Sequence, residues 1–117
     1  MMKPLPGYKH AIIQMEKFTL YALNPTAAPD KAFAFQKMLG YTIRNADKLI
    51  ENIHSHLGEF SCKEKGDTGY GMRYEVLMTL KGENGKRATV LTAWINDRKT
   101  GELRLVSAYI KKRREGK

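Results

Sequence analysis

The feature that most restricts the fold of this chain is a period-two alternation of apolar and polar residues on both sides of an Asn-Gly turn at 84–85. Alternate residues of a β-strand point to opposite faces, and Asn-Gly between two such runs is a strong hairpin signal. The segment therefore predicts a twisted antiparallel hairpin. One side of the hairpin carries Met72, Tyr74, Val76, Met78, Leu80, Ala88, Val90, Thr92 and Trp94.

The rest of the chain predicts helices followed by one more strand. A turn at 96–101 leads into an alternating segment at 102–110, which completes a three-strand meander. The polar segment 61–69 predicts a loop or a ragged edge strand. Upstream, helical periodicity is present over 13–23, 30–39 and 45–57. These elements predict an α+β fold, with the N-terminal helices packed on one face of a C-terminal antiparallel β-meander and the other face partly free.

The length of 117 residues predicts one domain. Residues 1–10 contain prolines and glycine and are predicted to be a flexible arm or linker, residues 11–111 to be a single α+β domain, and residues 112–117 to be a basic tail. No apolar run reaches the length of a membrane span, and the N-terminus lacks the apolar core of a signal peptide. The sequence thus predicts no membrane association.

The charge of the chain predicts an anionic partner. Lys and Arg number 21 against 12 Asp and Glu, which gives a net charge of +9. Residues 1–58 carry seven basic and four acidic side chains, and residues 59–117 carry fourteen and eight, so the predicted sheet half is the more basic. Nucleic acid and an acidic protein are the leading candidates, followed by a membrane surface.

The chemistry of any site is restricted by what the sequence lacks. Cys62 is the only cysteine, which excludes an internal disulfide and a cysteine zinc site. There is no phosphate-binding glycine loop, no zinc-protease motif and no close-set group of carboxylates. No metal and no cofactor are therefore predicted. A metal-independent reaction on RNA fits, because the 2′-hydroxyl can attack the adjacent phosphorus when a base, an acid and cations are supplied.

Three residues of the predicted hairpin are candidates for such a site. The planar guanidinium of Arg73 suits bidentate phosphate binding, and the alternative is a solvated strand arginine. Trp94 would stack on an unpaired base if it were exposed, although burial against the helices is the favoured interpretation. Thr92 lies on the same side as Trp94, where its hydroxyl could donate to phosphate or its β-branched side chain could simply suit a strand.

The other candidates lie outside the hairpin. Lys17 stands near the start of the first predicted helix, where the helix dipole disfavours a cation, and Lys31 follows Asp30, the predicted helix cap. His10 precedes the first helix and reaches the sheet only if the arm folds back. In the third strand, Arg104 or Tyr109 belongs to the site if its face is the open one. A solvated side chain is the alternative for each cation.

Five segments carry a resemblance to a known family: EKFTLYALNP, KAFAFQKMLGY, GMRYEV, GENGKRATVLTAWI and LRLVSAYI. They resemble a short bacterial domain of largely uncharacterised function, found alone or at the C-termini of polymorphic and contact-dependent growth-inhibition toxins, over about residues 9–111. The layout is also similar to the barnase, EndoU, colicin and RelE group of toxin ribonucleases. One departure is the segment NPTAAP, since many members carry a histidine shortly after the Asn-Pro. The positions matching the family pattern are Lys17, Tyr21, Asn24, Lys31, Gly40, Tyr41, Gly71, Tyr74, Gly82, Gly85, Thr92, Trp94, Arg104 and Tyr109.

The resemblance implies a toxin-type, metal-independent ribonuclease that acts on RNA, with tRNA as the expected target, and that a cognate immunity protein masks. It implies a monomer delivered as part of a larger effector and active in the target-cell cytoplasm. The alternatives are a non-catalytic nucleic-acid or protein-binding module and an accessory domain of a phage or secretion protein. The expected catalytic residues are Lys17, Arg73, Thr92 and His10, and the expected substrate-binding residues are Lys31, Arg104, Trp94 and Tyr109.

Overall fold

The computed structural model describes residues 3–111. One antiparallel sheet has the strand order β1-β2-β3-β4, so it is a meander of four strands. The α+β class is confirmed, while the predicted three strands gain a fourth, because the polar segment after residue 61 pairs as an edge strand. The predicted basic tail at 112–117 lies outside the described residues. The elements are α1 (Pro29–Leu39), α2 (Ala46–His56), β1 (Cys62–Asp67), β2 (Gly71–Lys81), β3 (Arg87–Asp97) and β4 (Leu103–Ile110).

The predicted hairpin is confirmed as β2 and β3. Tyr74 pairs with Trp94 and Val76 with Thr92, so the apolar residues of both strands share one face. That face is covered by the helices and forms the core, in which Trp94 is the largest fully buried side chain. The opposite face carries Arg73, Glu75, Leu77, Thr79 and Lys81 on β2 and is left uncovered by α1 and α2.

A β-bulge divides β4 into two parts. Ala93 pairs with Ser107 and Trp94 pairs with Leu105, so Val106 is an extra residue without an opposite partner. A bulge of this kind reverses the alternation that follows it. Leu103, Leu105, Ala108 and Ile110 are therefore the buried residues of β4, and Ser107 and Tyr109 lie on the uncovered face. The strict alternation predicted for this strand is wrong after residue 105.

The second and third predicted helices are confirmed as α1 and α2, with different beginnings. Pro29 occupies the first turn of α1, where its missing N–H costs nothing, and Asp30 follows inside that turn instead of capping the helix. Gly40 ends α1 with φ 77°, the left-handed conformation that glycine adopts without strain. The first predicted helix is reduced to a π-helical segment over Phe18–Ala22.

The N-terminal segment packs on the domain, so the prediction of a flexible arm is wrong for residues 3–10. Leu5 is fully buried in the core. Pro4 bridges Ser61, and the Cys62 N–H donates to the Lys3 carbonyl at 2.8 Å. Further along, Ile12 makes a parallel bridge with Arg104. The segment therefore touches both edges of the sheet, which brings the residues after it close to β4.

Candidate nucleic-acid interface

Helix α1 is fixed to the turn between β2 and β3 by backbone hydrogen bonds. The Leu39 carbonyl, at the helix end, accepts from the Glu83 N–H at 2.8 Å and from the Asn84 N–H at 3.4 Å. Gly82 lies so close to Leu39 that any side chain there would overlap the backbone of the helix. These contacts hold α1 beside the ends of β3 and β4 and leave a groove between them.

The groove between α1 and the sheet has a volume of about 1070 Å³, and we call it the α1 groove. Its cations come from three elements: Lys31 and Lys37 from α1, Arg87 from the start of β3, and Lys111 directly after β4. The carboxylate in the lining is Asp30. The other lining residues are Phe33, Ala34, Met38, Thr79, Ala88, Thr89, Tyr109 and Ile110.

A smaller cleft of about 220 Å³ adjoins the groove along the outer edge of β4. Lys17, which directly precedes the π-helical segment, lines it together with Tyr21 from that segment and Lys31 from α1, and we call it the Lys17 cleft. Lys31 lines both cavities, and its Nζ lies 5.6 Å from the centre of the Tyr109 ring, within the range of a cation–π contact. The remaining lining residues are Ala22, Val106, Ser107 and Ala108.

The groove and the cleft together hold five cations and one carboxylate. None of the five cations forms an ion pair with another residue in the range 3–111. Two aromatic side chains are exposed beside them, since Phe33 is 63% exposed and Tyr21 is 60% exposed. Cations without carboxylate partners next to exposed aromatic rings are the elements with which proteins bind single-stranded nucleic acid.

At the opposite end of the sheet several cations are paired with acids, and we call it the paired end. Arg104 contacts Asp97 at 2.8 Å, Arg98 contacts Asp67, and Lys65 approaches Glu75 to 3.9 Å. The hydrogen bond from Arg104, followed by those from backbone N–H groups, holds the pKa of Asp97 below its ordinary value. The backbone N–H of Gly69, followed by Arg98, lowers the pKa of Asp67.

Arg73, an expected catalytic residue, lies on the uncovered face but far from the lysines. It pairs with Ile95, whereas Tyr109 pairs with Leu91, so their rows are about 14 Å apart along the strand at 3.4 Å per residue. Arg73 is half-buried, and its Nε is buried without a hydrogen-bond partner among the described residues. Arg104 lies in the same row and is held by Asp97. The structure therefore does not gather the expected site in one place.

The structure corrects the site roles expected for Thr92 and Trp94, because both side chains lie on the covered face and are fully buried. The Thr92 hydroxyl donates to the Val76 carbonyl at 2.9 Å, and the Trp94 indole N–H donates to the Thr92 oxygen at 2.8 Å. Their polar atoms are thus satisfied inside the core. Neither side chain reaches solvent, so they hold the sheet together and do not contact a ligand. Burial of Trp94, the interpretation favoured from the sequence, is confirmed.

Of the expected residues, Lys17 and Lys31 line the Lys17 cleft together, and Tyr109 lies beside Lys31 in the α1 groove. His10 is exposed in a 3₁₀ turn before the segment that bridges β4 and lines neither cavity. Sequence reasoning missed the groove cations Lys37, Arg87 and Lys111. One signal was available for part of the groove: the α1 positions 30, 31, 34, 37 and 38, which line it, recur at helical spacing.

Two further properties concern metals and membranes. Residues 3–111 contain no group of three or more His, Cys, Asp and Glu side chains that could hold a metal ion. Within the same range, no helix is long and apolar enough to cross a membrane.

The fold and these cavities define an α+β domain with a cationic groove at one end of its sheet. Residues 4–112 match the family described as a domain of unknown function (DUF6883). The chain belongs to this family. No curated protein matches it, and no solved structure does.

Proposed function

We propose that this protein binds single-stranded RNA, with the sugar-phosphate backbone lying along the α1 groove. The observation that carries this proposal is the set of five cations of the groove and the cleft, which have no carboxylate partner within residues 3–111. Such cations attract phosphates, and binding releases the counterions of the nucleic acid. Phe33 and Tyr109 offer ring surfaces on which bases can stack.

The proposal is tested by fluorescence anisotropy of a labelled oligoribonucleotide over a series of salt concentrations. Each phosphate neutralised on a single strand contributes a slope of about −0.7 to the logarithmic salt dependence of affinity. Substituting Lys37→Gln together with Arg87→Gln should therefore make the slope shallower by about 1.4. The matched control is Lys63→Gln with Lys99→Gln, which removes the same charge outside the groove and should leave the slope nearly unchanged.

Two outcomes contradict the proposal. Absence of binding by the wild type at low salt would exclude an RNA-binding function. Equal losses from the groove pair and from the control pair would mean that the net charge of +9, and not the groove, attracts the RNA.

A second candidate function is the metal-independent endoribonuclease implied by the family resemblance. It is favoured by one observation, which is that Lys17, Lys31 and Tyr21 line one cleft. An amine and a phenol can transfer protons, and a second cation can stabilise negative charge on a phosphorane. We expect cleavage of tRNA in the presence of EDTA, lost in Lys17→Ala. Intact tRNA at micromolar wild-type protein would exclude this activity and leave the binding function standing.

A further inference from the structure

The Lys17 cleft differs from the α1 groove in offering an unused backbone donor. The Lys111 N–H donates to the Thr89 carbonyl at 2.8 Å, so the bonded pairs of β3 and β4 include Thr89–Lys111. Bonded and non-bonded pairs alternate in an antiparallel ladder. Tyr109 therefore points its N–H towards β3, and Ala108 points its N–H away from the sheet, towards the cleft that it lines.

At the start of β4, the backbone N–H and C=O groups that point away from β3 form hydrogen bonds with the N-terminal segment. The Ile12 N–H donates to the Leu103 carbonyl at 2.8 Å, and the Leu105 N–H donates to the Ile12 carbonyl at 2.9 Å. No segment of the described chain continues this pairing past the bulge, and the Ala108 N–H has no protein acceptor within residues 3–111. Ala108 is only 2% exposed. The N–H of an edge strand that faces a cleft takes its acceptor from whatever occupies the cleft, so a ligand oxygen there can replace water as the partner.

The charges and size of the cleft indicate what that acceptor is. The lining contains two lysines and no carboxylate, and Lys17 is half-buried there. The volume of about 220 Å³ lies below the roughly 300 Å³ at which pockets for drug-sized molecules begin. A phosphate monoester fits this description, because it is small, has several acceptor oxygens and carries a charge of about −1.5 to −2 at neutral pH. An internal phosphodiester carries a single negative charge.

We propose that the Lys17 cleft binds a terminal phosphate monoester of RNA, with Lys17 and Lys31 on either side and the Ala108 N–H donating to one oxygen. The inference rests on the RNA-binding function, since Lys31 also lines the groove in which the following nucleotides would lie. Tyr21, exposed at the cleft, provides a ring for the terminal base. The cleft thus gives the protein a preference for RNA ends over internal sequence.

The first experiment uses inorganic phosphate as the probe and follows the backbone amides by NMR. We expect the Ala108 amide to shift with saturation, and we expect Lys17→Gln and Lys31→Gln each to weaken phosphate binding by about tenfold, the scale of one charge-assisted hydrogen bond. Lys99→Gln, which removes the same charge in the β3–β4 turn, should have no effect. An Ala108 amide that does not move, or equal losses in all three variants, would overturn the inference.

The second experiment compares three oligoribonucleotides of one sequence that carry a 5′-phosphate, a 3′-phosphate or no terminal phosphate. We expect one phosphorylated form to bind about tenfold more tightly than the unphosphorylated form, with the gain lost in Lys17→Gln. The phosphorylated form that binds more tightly shows which end of the RNA the cleft binds. Equal affinities for all three would overturn the inference and leave the RNA-binding function intact, whereas no binding of any form would contradict that function itself.

A variant of the backbone donor provides an independent check. Ala108→Pro removes the outward N–H without removing a ladder bond, a position at which edge strands accept proline. We expect the terminal-phosphate preference to disappear in a folded variant. If Ala108→Pro does not fold, the Lys17→Gln comparison decides. A folded Ala108→Pro protein that keeps the full preference would exclude the Ala108 donor.

Discussion

The two ends of the sheet are both rich in cations, but they differ in where the acids stand. At the paired end, Asp67, Asp97 and Glu75 each have a basic partner. At the end that carries the α1 groove and the Lys17 cleft, five cations face one carboxylate. The difference teaches that the net charge of a chain does not locate a polyanion site, because a cation held by an acid contributes to the fold and a cation without a partner remains available to a ligand.

The largest effect that tests this comparison comes from Gly82, which holds α1 in place. A Cβ in Gly82→Ala would overlap the backbone of Leu39, so we expect a loss of about 3 kcal/mol in the free energy of unfolding, together with weaker RNA binding because the groove widens. Urea denaturation gives the first quantity and fluorescence anisotropy the second. The control is Gly85→Ala, whose Cβ meets open space and which bears only the cost of a positive φ, about 1–2 kcal/mol.

Unchanged stability in Gly82→Ala would contradict the close packing of α1 on the turn. Unchanged RNA binding in a clearly destabilised variant would separate the groove from the position of this helix.

The next effect concerns Thr92, which lies in the core between the two ends. Thr92→Val removes the acceptor of the buried Trp94 indole N–H, and we expect a loss of about 1–3 kcal/mol in the free energy of unfolding. RNA affinity should not change. Thr92→Ser keeps the hydroxyl and should lose only about 0.8 kcal/mol, the contribution of one buried methyl group. Loss of RNA binding in folded Thr92→Val would return Thr92 to the functional site.

A smaller effect compares one cation from each end. Lys31→Gln should lower RNA affinity about fivefold, since this residue lines both cavities, and Arg104→Gln should lower it less than twofold, because Arg104 is engaged with Asp97. Stability should respond in the opposite order, with a lower thermal midpoint in Arg104→Gln than in Lys31→Gln. If the affinities of the two variants fall equally, the distinction between paired and unpaired cations has no bearing on binding.

The smallest effect is a pH dependence at the paired end. Because hydrogen bonds from Arg104 and the Thr100 and Lys99 backbone lower the pKa of Asp97 in the folded state, its stabilising contribution is present above its ordinary pKa of 3.8. The contribution is lost as the pH falls through the folded-state pKa. Asp97→Asn should therefore be less stable than the wild type at neutral pH, and the two proteins should converge under acid conditions. A constant difference from neutral to acid pH would contradict this assignment.

The sequence was sufficient to predict the hairpin because its two strands obey one alternation over eleven residues each and the Asn-Gly turn fixes their register. It was also sufficient for α1 and α2, whose apolar stripes face the core. It was not sufficient for residues 3–28, since Pro4 bridges Ser61 and Ile12 bridges Arg104, and both partners are more than fifty residues away in the sequence. Such contacts leave no local periodicity.

The candidate site was predictable in part. Lys17 and Lys31 were named from the sequence, but nothing local indicates that they line one cleft, because the π-helical segment and α1 are brought together by a long-range contact between Phe18 and Phe35. Arg87 and Lys111 stand at strand ends, where a charged residue ordinarily marks the approach to solvent. Their role as groove cations depends on where α1 lies, and that position is set by the contact of Leu39 with the turn at Gly82.

Because of the extra residue Val106, odd-numbered residues face the core before the bulge of β4 and even-numbered residues face it afterwards. If β4 kept all its residues and had no bulge, the alternation set by Leu103 and Leu105 would continue, so that Tyr109 would face the core and Ala108 would face the opposite side. Deleting Val106 would instead remove the bulge and keep every other residue of the strand on its present face, because Leu105 and Ser107 would then be consecutive. The bulge is therefore what allows Ala108 and Ile110 to share the core with Leu103 and Leu105 while Tyr109 faces the groove.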